Sequence, residues 1–348
     1  MSRSHRIALA LPLSLAAFAA AGAASGTAWA GERSWALEGQ ALRITTPCAR
    51  TVDITASSSA RDVHIQATAD DPNELDQLTA SGGQTAQLGI SGRRCYREGD
   101  DWKRWQPTLR IAITVPAGVP LEVQEGGSTD YQASGGFGAL ALTIDGSGNF
   151  KADRVAGGAQ VRIHGSGDTQ LDRLEGALKV RVAGSGNVGI IQMTGPSIDL
   201  DSSGSGTITI GGGSGGSTQA KLSGSGNVTL PTVQDLRLTI DGSGDLVVAK
   251  AQGALSAHLG GSGALTIHAV SATTAQLKQS GNGDITIDGG EIGTLSSAIS
   301  GSGDQMLRVK VTDATLSLSG SGDVKIDQVT GRLDQSHSGS GSVHVGGR

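Results

Sequence analysis

The sequence predicts an all-β chain, a right-handed parallel β-helix of about eleven coils of 19–20 residues with an irregular β amino-terminal cap. Three observations predict it. A Gly-Ser-Gly tripeptide returns at a near-constant interval. The residues flanking it alternate apolar and polar with period two. Glycine fills 55 of 348 positions while Phe, Trp and Tyr together supply 3%. That composition leaves too little bulky side chain for an ordinary globular core.

The tripeptide starts at Gly146, Gly165, Gly184, Gly204, Gly224, Gly242, Gly261, Gly301, Gly320 and Gly339, with a Gly-Asn-Gly variant at Gly281, so the intervals run from 18 to 20 residues. A fixed period of that size is the mark of a solenoid, in which each unit buries its apolar face against its neighbours. Six residues after each first glycine stands an apolar column that includes Leu171, Ile190, Ile210, Leu230 and Ile326. Two residues earlier lies a second column, with Val188, Ile208 and Val228, broken only by Thr169 and Gln305. Before the glycines, Val161 with Ile163 and Leu316 with Leu318 repeat the same spacing of two. Period two means strands. A coil this short has no room for a helix, and a single coil buries too little to offset the entropy of ordering it. The corner glycines answer a need for positive φ or for close backbone approach. The right-handed form is expected because the hexapeptide pattern of left-handed β-helices is absent. At about 4.8 Å per coil the rod is roughly 50 Å long.

Three regions follow: 1–30, a signal peptide; 31–125, a β-rich amino-terminal cap continuing into the solenoid; and 126–348, the GSG[DN]-repeat β-helix. Arg3 and Arg6 precede a mostly apolar run from Ile7 to Ala24, and Ala28-Trp29-Ala30 puts small residues where a signal peptidase cuts, between Ala30 and Gly31. A retained anchor is disfavoured by Pro12, Ser14 and Gly22 within the run. The product is expected to be exported to the periplasm, the cell surface or the medium, with no membrane span after cleavage. Removing Arg3 and Arg6 turns 27 basic against 32 acidic residues into 25 against 32, a charge of -7, which leaves no overall nucleic-acid footprint. Cys48 and Cys95 form an even pair, most simply a disulfide in an oxidising compartment. Closing a loop of about 48 residues contributes about 4 kcal/mol in the chain-entropy account.

In the cap, the strand-like segments 63–67, 109–115 and 121–123 alternate with polar loops. The run Leu109 to Gln124, LRIAITVPAGVPLEVQ, followed by serial GSGD and GSGN corners, resembles the GIN domain family of auto-transporter adhesin heads. The resemblance covers most of the chain after the leader. It implies a β-helical exported domain of bacterial envelopes and supplies no catalytic residues. The chain ends at Val345-Gly346-Gly347-Arg348 without the carboxy-terminal membrane barrel that self-translocation requires, so none is expected. Residues 151–348 contain no Phe, Tyr or Trp, so the rod offers no aromatic platform for sugars or bases.

Several patterns could carry chemistry. After the corner stands Asp or Asn at Asn149, Asp168, Asn187, Asn227, Asp245, Asp284, Asp304 and Asp323. Stacked carboxylates suit calcium, but bonds to nearby turn backbone suit the mixture with Asn better. Gly184, Gly186 and Gly189 spell G-x-G-x-x-G, and 212–216 spell G-x-S-x-G. Neither has the strand-to-helix context that gives those motifs meaning, and Gly211 to Ser217 reads as a loop insertion. One outward column holds His268, Asp288, Arg308 and Asp327, and another Arg162, Arg181, Asp201 and Lys221. Both read as charge ladders on exposed faces. Asp288 and Asp327 stand at a separation a glycosidase could use, but an arginine between two carboxylates favours the charged form of each, the wrong state for a general acid.

The expected function is an exported, non-enzymatic, adhesin-like or cell-envelope interaction module, with an envelope protein or polysaccharide as partner and no cofactor. Two alternatives accompany it: a polysaccharide-active enzyme on the face of Asp288 and Asp327, and a scaffold assembling end to end through the last coil at Val343 and Val345.

Overall fold

A computed structural model describes residues 31–45, 48–90 and 107–346. The chain is a parallel β-solenoid of about twelve turns, with parallel bridges about 19 residues apart. Each turn has a strand before the corner, the glycine corner, and a strand after it. The rungs before the corner stack in one sheet: Leu140–Ile144 on Ala159–Ile163, then on Leu178–Val182. The rungs after it stack in another: Phe150–Val155 on Thr169–Glu175, then on the first part of Val188–Ser202. In the first coils the chain bends between a post-corner strand and the next pre-corner strand, with Gly158 and Gly176 at φ 85° and 110°. From Val188 to Gln279 the two merge into single long strands such as Val188–Ser202, Ile208–Leu222 and Val228–Ile240, and they do so again in Gln305–Leu318.

The alternation read from the sequence is the alternation of burial. In Leu178–Val182, Leu178, Val180 and Val182 are buried while Lys179 and Arg181 face outward. The column from Ala152 through Leu171, Ile190 and Ile210 to Ile326 is sealed from solvent. Thr169 and Gln305, the two polar breaks, still point inward and are buried. Gln305 Oε1 there accepts the Ser297 hydroxyl at 2.5 Å. The inward register ends in polar groups: Leu316 and Leu318 are followed by Gln335 and His337, both exposed.

The corner glycines have one of the two expected causes. They are absent from the positive-φ set, whereas a Cβ on Gly165 or Gly184 would overlap the carbonyl oxygen of the corner glycine one coil earlier. Each corner lies against the last, with Ser185 N–H donating to Gly165 O at 3.0 Å. Close approach therefore selects glycine here. A twelfth corner, Gly127-Ser128-Thr129, lies beneath Gly146 and Gly148; its different spelling hid it from the repeat.

One expectation is corrected. Gly211 to Ser217 is not a loop insertion: it lies inside Ile208–Leu222, with Gly212 opposite Gln192 and Gly213 opposite Met193. Glycines there are compatible with a strand because the preceding coil's backbone lies close, so that a Cβ on Gly213 or Gly216 would strike a carbonyl. In the amino-terminal region two strands belong to the stack. Ala41–Thr45 is parallel to both Thr85–Ile90 and Leu121–Glu125, and Thr51–Ser57 to both Arg110–Pro116 and Asp130–Phe137. These two early strands thus form a layer between later ones, and the chain crosses it through 117–120. Outside this layer, Arg110–Pro116 pairs antiparallel with Val63–Ala69, and that strand with Gly31–Leu37, closing the end of the post-corner sheet.

Candidate functional site

A long groove follows the outward side of the pre-corner sheet. Its floor is set by short residues where each pre-corner strand begins, among them Ala41, Pro120, Ala139, Gly158 and Ala177. Because these residues stack in register, their missing bulk lines up into a trough. The first stretch encloses about 620 Å³ and lies between two ion pairs, Arg43–Glu122 and Lys179–Asp199, at 2.8 and 2.9 Å. The second encloses about 520 Å³ and is walled by Gln219, Arg237, Ser256 and Gln276. One outward column joins them without interruption: Gln160, Lys179, Asp199, Gln219, Arg237, Ser256 and Gln276 are successive ladder partners. No sequence motif marks this groove. Its signal was the run of small residues in register, visible only once the coils are stacked.

The corner Asp and Asn residues build a hydrogen-bond ladder between coils. Asn149 Oδ1 accepts Asp168 N–H at 2.9 Å, Asp168 Oδ1 accepts Asn187 N–H at 2.8 Å, and Asn187 Oδ1 accepts Thr207 N–H at 2.8 Å. The pattern restarts at Asn227 and again at Asp284, and it also includes Asp130, which serves Asn149. The expected bond to turn backbone exists, but the backbone belongs to the following coil. These side chains thus fasten one turn to the next.

The column of His268, Asp288, Arg308 and Asp327 is only partly a connected unit. Asp288 Oδ1 accepts from Arg308 at 2.8 Å, and its Oδ2 lies 2.9 Å from His268 Nδ1. Asp327 has no ion pair among the described residues. With both oxygens of Asp288 engaged, His268, Asp288 and Arg308 form a hydrogen-bonded cluster on an exposed face. In the second column Arg181 meets Asp201 at 3.1 Å, while Arg162 lies beside Arg181 with no acid of its own among the described residues.

A buried acid that sequence reading missed lies at the first corner. Glu125 occupies the inward position that Ile144 takes in the next coil, so the periodicity there calls for an aliphatic residue. Its carboxylate accepts the Gly127 and Thr129 N–H groups and the Tyr131 hydroxyl, the last at 2.7 Å. Burial raises the Glu125 pKa, and these bonds oppose the rise. Burial first, and then the adjacent carboxylate, push Tyr131 well above its ordinary value. The pair closes a corner from inside, and both residues are buried.

Of the remaining predicted positions, Cys48 is described, in the corner between Ala41–Thr45 and Thr51–Ser57, with φ 50°. Cys95 and the leader through Ala30 lie outside the described residues, and Gly31 opens the first strand. Among the described residues no helix is long and apolar enough to cross a membrane.

The stacked corners, filled interior and lengthwise groove define a β-solenoid with an extended outer surface. The family described as "Putative auto-transporter adhesin, head GIN domain" matches residues 49–232 and 228–348, and the chain belongs to that family. Among solved structures, it is similar to a "putative adhesin" of Bacteroides fragilis, at 14% identity and a TM-score of 0.21, covering 90% of this chain and 95% of that one. A "putative adhesin" of Parabacteroides distasonis is 15% identical with a TM-score of 0.30, covering 90% and 96%. A "Putative lipid binding protein" of the same species is 17% identical with a TM-score of 0.26, also covering 90% and 96%. No curated protein matches the sequence significantly.

Proposed function

We propose that the chain is an exported, non-enzymatic, adhesin-like module that binds a cell-envelope partner along the groove of its pre-corner sheet. The observation that carries this reading is the unbroken outward column from Gln160 to Gln276 beside a floor of short side chains. A rigid, repetitive trough presents the same kind of contact many times, which suits an extended polymer better than a compact small molecule. Membership of an adhesin-head family supports the same role. The test is binding of the mature chain to envelope fragments. Tryptophan introduced into the trough by Ala141→Trp and Gln219→Trp is expected to weaken binding roughly tenfold or more by blocking it. Thr229→Trp, on the opposite sheet, is expected to leave binding unchanged. Equal binding by all three with unaltered circular dichroism rejects the groove.

Within this reading Cys48 and Cys95 fasten the amino-terminal layers. Ladder pairs Ile44 with Leu88 and Thr51 with Arg110 flank the corner holding Cys48, and Cys95 falls between Leu88 and Arg110 in sequence. Unreduced peptide mapping is expected to recover the two cysteines in one linked fragment; two free thiols would remove the assignment.

A further inference from the structure

We infer that the groove's ligand is a linear anionic polysaccharide, an inference that rests on the binding role proposed above and adds its chemistry. The chain as a whole is acidic, with a net charge of -5. Its pre-corner sheet departs from that balance. From Gln160 to Lys278 the outward strand positions hold six basic residues, Arg162, Lys179, Arg181, Lys221, Arg237 and Lys278, against two acids, Asp199 and Asp201. Both acids are already engaged, Asp199 by Lys179 at 2.9 Å and Asp201 by Arg181 at 3.1 Å. Arg162, Lys221, Arg237 and Lys278 have no ion pair among the described residues. Asp235, at the edge of the groove, accepts the Ala254 N–H at 3.0 Å and lies outside the outward register.

Four unpaired cations therefore lie along one sheet of an acidic rod, Arg237 in the groove lining and Arg162, Lys221 and Lys278 in the outward column beside it, two positions nearer the corner. Six coil steps separate Arg162 from Lys278, about 29 Å in all at about 4.8 Å per step. One step is close to the length of a sugar unit in an extended chain, so an acidic polysaccharide can present carboxylates at the repeat of the coils. Gln160, Gln219, Ser256 and Gln276 supply amide and hydroxyl partners for sugar hydroxyls between those charges. With no Phe, Tyr or Trp in 151–348, the sheet lacks the large rings on which sugars and bases stack, and charge with hydrogen bonding carries recognition.

The experiment uses the mature full chain with three probes: polygalacturonate, its fully methyl-esterified form, and single-stranded DNA. Polygalacturonate is expected to bind, and its affinity to fall about tenfold or more between about 0.05 and about 0.5 M NaCl. The ester, with the same backbone and no charge, is expected to bind at least about tenfold more weakly. The combined variant Arg162→Gln, Lys221→Gln, Arg237→Gln and Lys278→Gln is expected to lose about tenfold or more, with unchanged circular dichroism. Equal binding of acid and ester, salt-insensitive binding, or an unaffected combined variant overturns the inference. DNA binding as tight as polygalacturonate also overturns it, because the sheet would then be a general polyanion trap. Envelope fragments bound through the groove while polygalacturonate fails would remove this ligand class and leave the binding module standing.

Discussion

At the scale of single residues the chain shows how a buried polar group is tolerated. Glu125 takes an aliphatic position, yet two backbone N–H groups and the Tyr131 hydroxyl meet its oxygens. Desolvation still dominates, so its folded pKa lies above the ordinary value of 4.5. The folded state then binds this proton more tightly than the unfolded state. The stability Glu125 contributes is complete below pH 4.5 and is lost as pH rises through the folded pKa. Urea midpoints measured upward from pH 4.5 should accordingly decline more steeply for the native chain than for Glu125→Gln. Parallel pH profiles for the two would refute this account of the corner. The column of apolar residues was legible from spacing, but Glu125 was not, because nothing local says that a glutamate will turn inward to serve its own corner.

At the scale of the element the corner is the unit that makes the repeat possible. A corner with glycine at both points of close approach lets each turn lie directly on the previous one, and the Asp or Asn that follows reaches along the stack to the next turn's N–H. The sequence identified both residue types and the strands around them. It left open whether φ or approach selected glycine, and in which coil the Asx partner lay. Gly184→Ala places a methyl group on Gly165 O and should cost roughly 1–3 kcal/mol, as overpacking does. Gly189→Ala, in an outward position with its nearest atom at 3.9 Å, should change stability by no more than about 0.5 kcal/mol. Denaturant midpoints of the two variants give the comparison; similar losses would contradict close packing as the cause. The glycine tract Gly211 to Ser217 teaches the converse, since turn-like composition there accompanies a strand held by the ladder of its neighbours.

At the scale of the whole molecule, stability divides into a modular rod and an interlocked end. Along the rod each coil touches mainly the coils before and after it, so contributions add along the stack. Deleting residues 166–184 joins Gly165 to Ser185 and restores an intact corner. That variant should keep its β circular dichroism and unfold at a lower denaturant midpoint. Deleting 41–57 removes the layer on which Thr85–Ile90, Leu121–Glu125, Arg110–Pro116 and Asp130–Phe137 all pair. Its loss should abolish cooperative unfolding of the amino-terminal half. A cooperative transition retained after that deletion would mean the layer is dispensable.

The repeat period, the alternation within each unit and the corner residues are properties of neighbouring positions, so the amino-acid sequence by itself determined a stacked β-solenoid and its filled interior. Three things depended on which coil lies beside which, and only the tertiary structure decided them. Strands 41–57 entered the stack between strands that follow them by dozens of residues. Small residues one turn apart aligned into a groove. Cations spread over more than a hundred positions came onto one outward face while the acids among them were neutralised. Each is a relation across the 19-residue repeat, set by register between turns rather than by any local propensity.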